Sequence, residues 1–441
     1  MRHKQVLDNS IKKKKIQSYC SPRWSGEILD CSMPLTFDQY DHCSFNCLYC
    51  FSFYQKALKA FNPLMPNQMG KGYQTMEVRS VRVDKIKSLF RLERNSQFTD
   101  YIKQRITMQW GGLSDPFDMF EKKEGVGLEI LQFLKEQNYP LCFSTKGTWW
   151  TKDDRYMSLF AGQKNWNVKF SIINMDESAA KAIELGVPSP EERLKALARF
   201  NKLKGTGGST LRLRPFIIGL SDVDGGHKEL IRLAADAGVG AVSMEFFCLE
   251  MRATEAMVER YGKMSEVLGF DLVDFYRRNS PRGSGYLRLN WKIKEKYVNE
   301  CEAVCKKYGL RFYVSDAHHK DRCHNGSCCG LPESWNYSRG QFTEALLIAK
   351  QYGSVRFCDI EKHLQMYKKF DWRVAEGFNT RGTMARCQRW RQTMFDYIRE
   401  IWNTPQSPKS PYQYFGGLLR PLKLDEAGNV IYKYHPYQEK E

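Results

Sequence analysis

Cys43, Cys47 and Cys50 form a CxxxCxxC loop near the start of the chain. Three thiolates at these spacings wrap a small cube and can hold three irons of a [4Fe–4S] cluster. The fourth iron then lacks a protein ligand, so the amino and carboxylate groups of S-adenosylmethionine can chelate it. The same trio also suits zinc, with His42 or Cys31 as a fourth ligand. A second group, DRCHNGSCCG at 321–330, presents Cys323, Cys328 and Cys329. Cys301 and Cys305 lie one helical turn apart, and Cys305 is a candidate fourth partner. This group reads as a second iron–sulfur cluster, as zinc with His318, His319 or His324, or as a thiol-rich loop without metal.

The chain carries 14 cysteines and opens without an apolar signal region, so metal or redox chemistry is expected rather than disulfides. No apolar run approaches the roughly 18 residues of a membrane span. A soluble cytoplasmic protein is the expectation. Lys and Arg number 68 against 50 Asp and Glu, a formal charge of +18. Such an excess favours polyanions such as nucleic acid, and equally serves solubility.

Positioning the cysteine loop requires a scaffold, and the sequence supplies a rhythm for one. Strand patterns at 33–40, 105–110, 139–144, 168–173, 210–218, 240–247 and 310–314 alternate with helical patterns. A short strand is expected at 80–83. Helices are expected at 84–92, 125–137, 152–160, 190–203, 227–237 and 292–308, with Ser189 and Pro190 opening the fourth. Alternation of this kind means crossovers and a parallel sheet, here a partial (β/α)6 barrel. Barrel ligands sit on the loops after the strands. Three such loops gather the cysteine triad, Gly111-Gly112, and Ser144-Thr145-Lys146 on one face. The expected organisation is a basic arm at 1–32, the barrel at 33–315, a cysteine-rich segment at 316–353, and a basic, mostly helical region at 354–441.

YDHCSFNCLYCF at 40–51 resembles the cluster loop of the radical S-adenosylmethionine superfamily. GGLSDPFDMFE at 111–121, FSTKG at 143–147, Glu184 with the PSPEER run at 188–193, and LRPFIIGLSD at 213–222 resemble, in order, segments of its spore photoproduct lyase-like branch. The likeness covers roughly residues 34 to 250. It implies cluster ligation by Cys43, Cys47 and Cys50. It also implies cofactor contacts from Tyr49, Gly111, Gly112, Ser114, Asp115, Ser144, Lys146, Ser171 and Arg212, and a reductant such as flavodoxin or ferredoxin. One departure stands out. That branch places a cysteine three residues before the aspartate, where this chain has Gly112. The radical generator is therefore expected to persist while the substrate differs.

RGTMARCQRWRQTMFDYIREIW at 381–402 is basic with aromatic interleaving. Arg386, Arg389, Arg391 and Arg399 could meet phosphates, and Trp390 and Tyr397 could stack on bases. The same run also reads as an amphipathic helix docked on the barrel. Three functions remain in play: a radical enzyme acting on nucleic acid, one acting on a peptide or protein, and a zinc-dependent nucleic-acid-binding protein.

Overall fold

The computed structural model describes residues 21–25, 28–52, 78–251, 255–281, 286–367 and 393–437. Its main sheet has eight strands in the order β1 (Arg23–Trp24), β2 (Leu35–Phe37), β3 (Met108–Trp110), β4 (Leu141–Thr145), β5 (Trp166–Ser171), β6 (Ser209–Phe216), β7 (Ala241–Phe246) and β10 (Arg311–Val314). β1 is antiparallel to β2, and every later pair is parallel. β8 (Leu249–Glu250) and β9 (Tyr286–Leu287) form a separate antiparallel pair. The edges of the main sheet do not pair with each other, so the barrel is open. The sheet nevertheless curls: Lys169 on β5 donates to Gln109 on β3, passing over β4.

Alternation divides each strand between two environments. Leu141, Phe143, Val168, Phe170, Leu211, Leu213, Val242 and Met244 join the main hydrophobic core. The helices Val126–Glu136, Pro190–Asn201, Gly226–Asp236 and Trp291–Lys307 bury their apolar faces in the same core. Ser189 caps the second of these, accepting from the Glu192 N–H at 3.2 Å, as the Ser-Pro pair predicts. The opposite parity is polar: Gln109, Ser144, Asn167, Lys169, Ser171, Thr210, Arg214 and Ser243 are all buried. They satisfy one another across the concave side. Gln109 Nε2 donates to Ser144 Oγ at 2.8 Å, and Arg214 Nη2 donates to Ser243 Oγ at 2.6 Å.

The cysteine-rich segment belongs to this barrel. The His324 N–H donates to the Phe312 carbonyl of β10 at 3.0 Å, and the Thr107 N–H beside β3 donates to the Asn336 carbonyl at 2.8 Å. Residues 324–336 therefore cross the open side from one edge region to the other. Both Arg214 and Ser243 donate to the Cys328 carbonyl, which brings the segment into the polar interior.

Beyond β11 (Ser354–Val355), helices Phe357–Glu361 and Met394–Trp402 are joined by a hairpin, β12 (Leu419–Leu424) and β13 (Val430–Tyr434). The three strands form a small antiparallel sheet. The hairpin carries no clean period-two signal, since Pro421 and a register shift interrupt β12. Helix Met394–Trp402 buries Met394, Phe395, Tyr397, Ile398, Ile401 and Trp402. Tyr397, expected to stack on bases, is instead 1% exposed in this core. Arg399 is exposed, and its Nε donates to Asn429 Oδ1 at 3.0 Å. The candidate nucleic-acid contacts Arg386, Arg389, Trp390 and Arg391 lie outside the described residues. Among the described residues no helix is long and apolar enough to cross a membrane.

Two expectations follow. Buried Glu121 accepts from five donors: Gln39 Nε2, the Tyr40 and Tyr156 hydroxyls, and the Gly127 and Leu128 N–H groups. Glu121→Ala should cost more than about 3 kcal/mol, because each stranded buried donor costs roughly 1–3 kcal/mol. Glu129→Ala, which removes only a surface pair with Lys87, should stay within about 0.5 kcal/mol in the same urea titration. Burial pushes His318 and His319 down to about 4 from an ordinary 6.5. The folded chain thus holds neutral imidazoles where the unfolded chain holds cations. Stability should be full above pH 6.5 and fall as pH drops toward 4. His318→Gln should flatten part of that slope, and an unchanged slope would refute the assignment.

Candidate functional site at the barrel mouth

The cysteine loop follows β2 and has no continuous ladder of its own, so its backbone groups need other partners. Asp118 Oδ2 accepts from the Ser44 N–H at 2.8 Å. Leu48 N–H donates to the Ile183 carbonyl, and Gly186 N–H donates to the Phe45 carbonyl, both at 2.9 Å. Cys47 and Glu184 form an isolated antiparallel bridge. Asn46 takes a left-handed conformation, φ 49°, which asparagine tolerates better than most residues. Glu184 also accepts from the Tyr49 hydroxyl and from Arg193 Nη2. Arg193 Nη1 reaches the Ser171 carbonyl at 2.8 Å, which ties the cysteine loop to the end of β5.

The Gly-Gly turn after β3 is fixed by Asp38, which ends β2. Its Oδ1 accepts from the Leu113 and Ser114 N–H groups at 2.8 and 2.9 Å. Gly111 has φ 89°, and a Cβ there would stand 2.6 Å from the Ser144 carbonyl oxygen. Only glycine fits both the torsion and the close approach of β4. Asp115 then locks the third loop, accepting from Thr145 Oγ1 at 2.7 Å and from the Lys146 and Phe117 N–H groups. Ser114 Oγ is engaged by Asp38 and the Tyr40 carbonyl.

These loops enclose a single cleft. Cys43, Cys47, Cys50, Gly111, Gly112, Ser114, Asp115, Ser144, Lys146, Ser171 and Arg212 all line it. Tyr49 lies behind this wall, buried, with the Lys146 ammonium 5.4 Å from its ring centre. Sequence reasoning did not find Arg260, which also lines the cleft and reaches it from helix Glu255–Leu268. A basic residue on a distant amphipathic helix carries no local signal. Asp38, Asp118 and Arg193 were given no role of their own, although Asp118 and Arg193 lie within the segments 111–121 and 188–193.

Burial dominates the electrostatics. It pushes the Cys47 thiol up to about 12 and the Cys43 thiol well above its ordinary range, while Lys146 beside Cys47 acts in the opposite direction. Burial also raises Asp115, against its three hydrogen bonds. Thiols in such a place become thiolates when a positive centre binds the sulfur and displaces the proton to solvent. Lys146, Arg212 and Arg260 leave the cleft lining predominantly cationic.

The second cysteine group is arranged differently. Cys305 stays with Cys301 on the core face of helix Trp291–Lys307. Cys323 Sγ lies 3.1 Å from the Val314 carbonyl oxygen. The Cys328 thiol is hydrogen-bonded to Cys329, which packs against Cys142, Leu331 and Tyr337. A hydrogen bond from Cys328, with Lys169 and Arg214 nearby, draws Cys329 down to about 6 despite its burial. Among the described residues no three His, Cys, Asp or Glu side chains surround a volume suited to a single metal ion.

No family model matches the chain. Uncharacterized proteins of Mycobacterium bovis and Mycobacterium tuberculosis are 26% identical over 220 residues, covering 50% of this chain. The match spans 59% of those relatives' length. Among solved structures, spore photoproduct lyase with dinucleoside spore photoproduct is similar at a TM-score of 0.48 and 17% identity, over 67% of this chain and 80% of that one. Streptococcus suis SuiB bound to S-adenosylmethionine is similar at a TM-score of 0.38 and 12% identity, over 66% of this chain and 52% of that one.

Gly111→Ala should lower stability by more than about 2 kcal/mol, since torsional strain of roughly 1–2 kcal/mol adds to a backbone clash. Gly125→Ala supplies the control: φ is 67° but nothing lies within 4 Å of the added Cβ. Its cost should be the torsional part alone, and equal losses in the two variants would contradict the close-approach argument.

Proposed function

We propose that this chain is a radical S-adenosylmethionine enzyme acting on a nucleic-acid substrate. The observation that carries the first half is the cleft itself. It brings three cysteine thiols, a Gly-Gly turn and the Ser144–Lys146 loop together at the carboxyl ends of parallel strands. The donor set fits a [4Fe–4S] cluster with one open iron. Three soft thiol ligands line the cleft, and its one lining carboxylate, Asp115, already accepts from Thr145, Lys146 and Phe117. When bound, such a cluster supplies an electron to the sulfonium of S-adenosylmethionine, giving a 5′-deoxyadenosyl radical able to take an unactivated hydrogen.

The chain's own residues bind and orient. Cys43, Cys47 and Cys50 hold the cluster. Gly111 and Gly112 let backbone approach the methionyl amino group. Ser144 and Lys146 hold the methionyl carboxylate, which a lysine suits as a point charge. Ser171 and Arg212 close the far side, where Arg212 Nη1 already donates to Ser171 Oγ at 3.3 Å. Asp115 shapes this face by fixing the backbone of the Ser144–Lys146 loop.

A nucleic-acid substrate is supported by the +18 charge and by the cationic lining of the cleft. Gly112 stands where the branch that these segments resemble places a cysteine. We therefore assign a modification or repair other than that branch's own. A flavodoxin- or ferredoxin-type protein is the proposed reductant, and a reducing cytoplasm the proposed setting. Peptide modification drew its support from a second cluster, and nothing in the geometry of Cys323, Cys328, Cys329 and Cys305 favours one.

Anaerobic reconstitution with iron and sulfide should load about four irons per chain. Dithionite and S-adenosylmethionine should then yield 5′-deoxyadenosine. Cys47→Ala should abolish that product. A fully loaded wild type that forms none would sink the enzyme reading. Salt-sensitive retention on DNA or RNA tests the substrate half, and retention independent of salt would contradict it.

A further inference from the structure

Arg260 stands apart from the motifs. It comes from helix Glu255–Leu268, more than two hundred positions after the cysteine loop, yet its guanidinium is committed to that loop. Nε donates to the Leu48 carbonyl at 3.1 Å, Nη1 to Asn46 Oδ1 at 2.9 Å, and Nη2 to the Cys47 carbonyl. The residue is 9% exposed, and it lines the cleft beside Cys47 and Cys50. Neighbouring Glu259 is turned to Lys263 at 2.6 Å. A buried guanidinium is costly unless its charge and its donors are both used. Three donors are used on loop oxygens, and Cys50 and Cys47, then Glu259, are the groups that act most strongly on its charge.

We propose that Arg260 is a positioning residue of the cofactor centre: it fixes the Asn46–Leu48 turn and sets a permanent cation against the thiolates, favouring the reduced state of the bound cluster. The inference rests on the cluster assignment above. The two roles separate by chemistry. The planar fork, with several donors in one plane, performs the first; lysine keeps the charge without the fork. Glutamine keeps part of the hydrogen bonding without the charge. Reduction adds one negative charge beside the guanidinium, so the cation stabilises the reduced form and raises the potential. The loop's opposite side is already held by the Glu184–Arg193 pair, each side chain 1% exposed, so loss of Arg260 should loosen the turn without unfolding the chain.

The test compares wild type, Arg260→Gln and Arg260→Lys in two forms. In the loaded proteins, an EPR-monitored redox titration should find Arg260→Gln at least tenfold harder to reduce, a shift of about 59 mV to lower potential for one electron. Arg260→Lys should recover most of that shift. In the metal-free proteins, amide exchange at 46–50 should speed at least tenfold in both variants. Wild-type potential in Arg260→Gln would overturn the electrostatic role, and wild-type exchange in both variants would overturn the clamp. Should Arg260→Gln not load iron, a wild-type potential and wild-type exchange in Arg260→Lys would overturn the proposal, since the fork would then be dispensable. Failure of the wild type to load iron would instead remove the cluster assignment on which the inference stands.

Discussion

Backbone at the mouth of an open barrel has left its strands, and each buried N–H group there needs an acceptor that no ladder supplies. In this chain several of the acceptors are side-chain carboxylates, beside backbone carbonyls such as those of Ile183 and Phe45. Asp38 takes the Gly-Gly turn, Asp115 the third loop, Asp118 the start of the cysteine loop, and Glu121 the helix beyond it. Glu184 adds the side-chain tie through Tyr49. Each is buried, so each is costly in isolation, and each is offset by two or more donors. The cleft exists because these carboxylates convert irregular loops into fixed walls.

That arrangement explains which parts of the site were legible in the sequence. Strands at 168–173 and 210–218 were readable because one parity must meet the helices and is apolar, and they lie at 166–171 and 209–216. Cys43, Cys47 and Cys50 were readable from spacing, and Gly111 as part of a Gly-Gly turn after a strand pattern; its positive torsion was not. Arg260 and Arg193 were not, because their meaning lies in contacts across distant positions. The hairpin β12–β13 was hidden by Pro421 within its edge strand. Tyr397 misled because a basic helix with aromatics reads the same whether its rings face a ligand or a core. The aromatics of Met394–Trp402 form the core-facing set, and its arginine is on the wet side.

The cysteine-rich segment shows why thiol spacing alone is ambiguous. Adjacent Cys328 and Cys329 hydrogen-bond to each other through their side chains, the Cys328 carbonyl meets Arg214 and Ser243, and Cys329 packs against Cys142. Their position fills the open side of the curled sheet, between β10 and β3. On the polar concave face Lys169 donates to Gln109, and Arg214 donates to Ser243 and the Cys328 carbonyl with Glu245 3.6 Å away. Thiols are small and polarizable and pack beside such cations without demanding a full ion pair. The hydrogen bond from Cys328 draws Cys329 down, and Lys169 and Arg214 act in the same direction.

The cleft has the opposite electrostatic order. There burial holds Cys43 and Cys47 protonated, and only a bound positive centre makes thiolate the favoured state. The loop is held by Asp118, Ile183, Phe45 and Glu184 on one side and Arg260 on the other. Under the proposed cluster assignment, the buried thiols would lose their protons to solvent as the cluster binds in the cleft. The cations that line it, Lys146 and Arg260, ease that release because they already favour negative charge at the thiols.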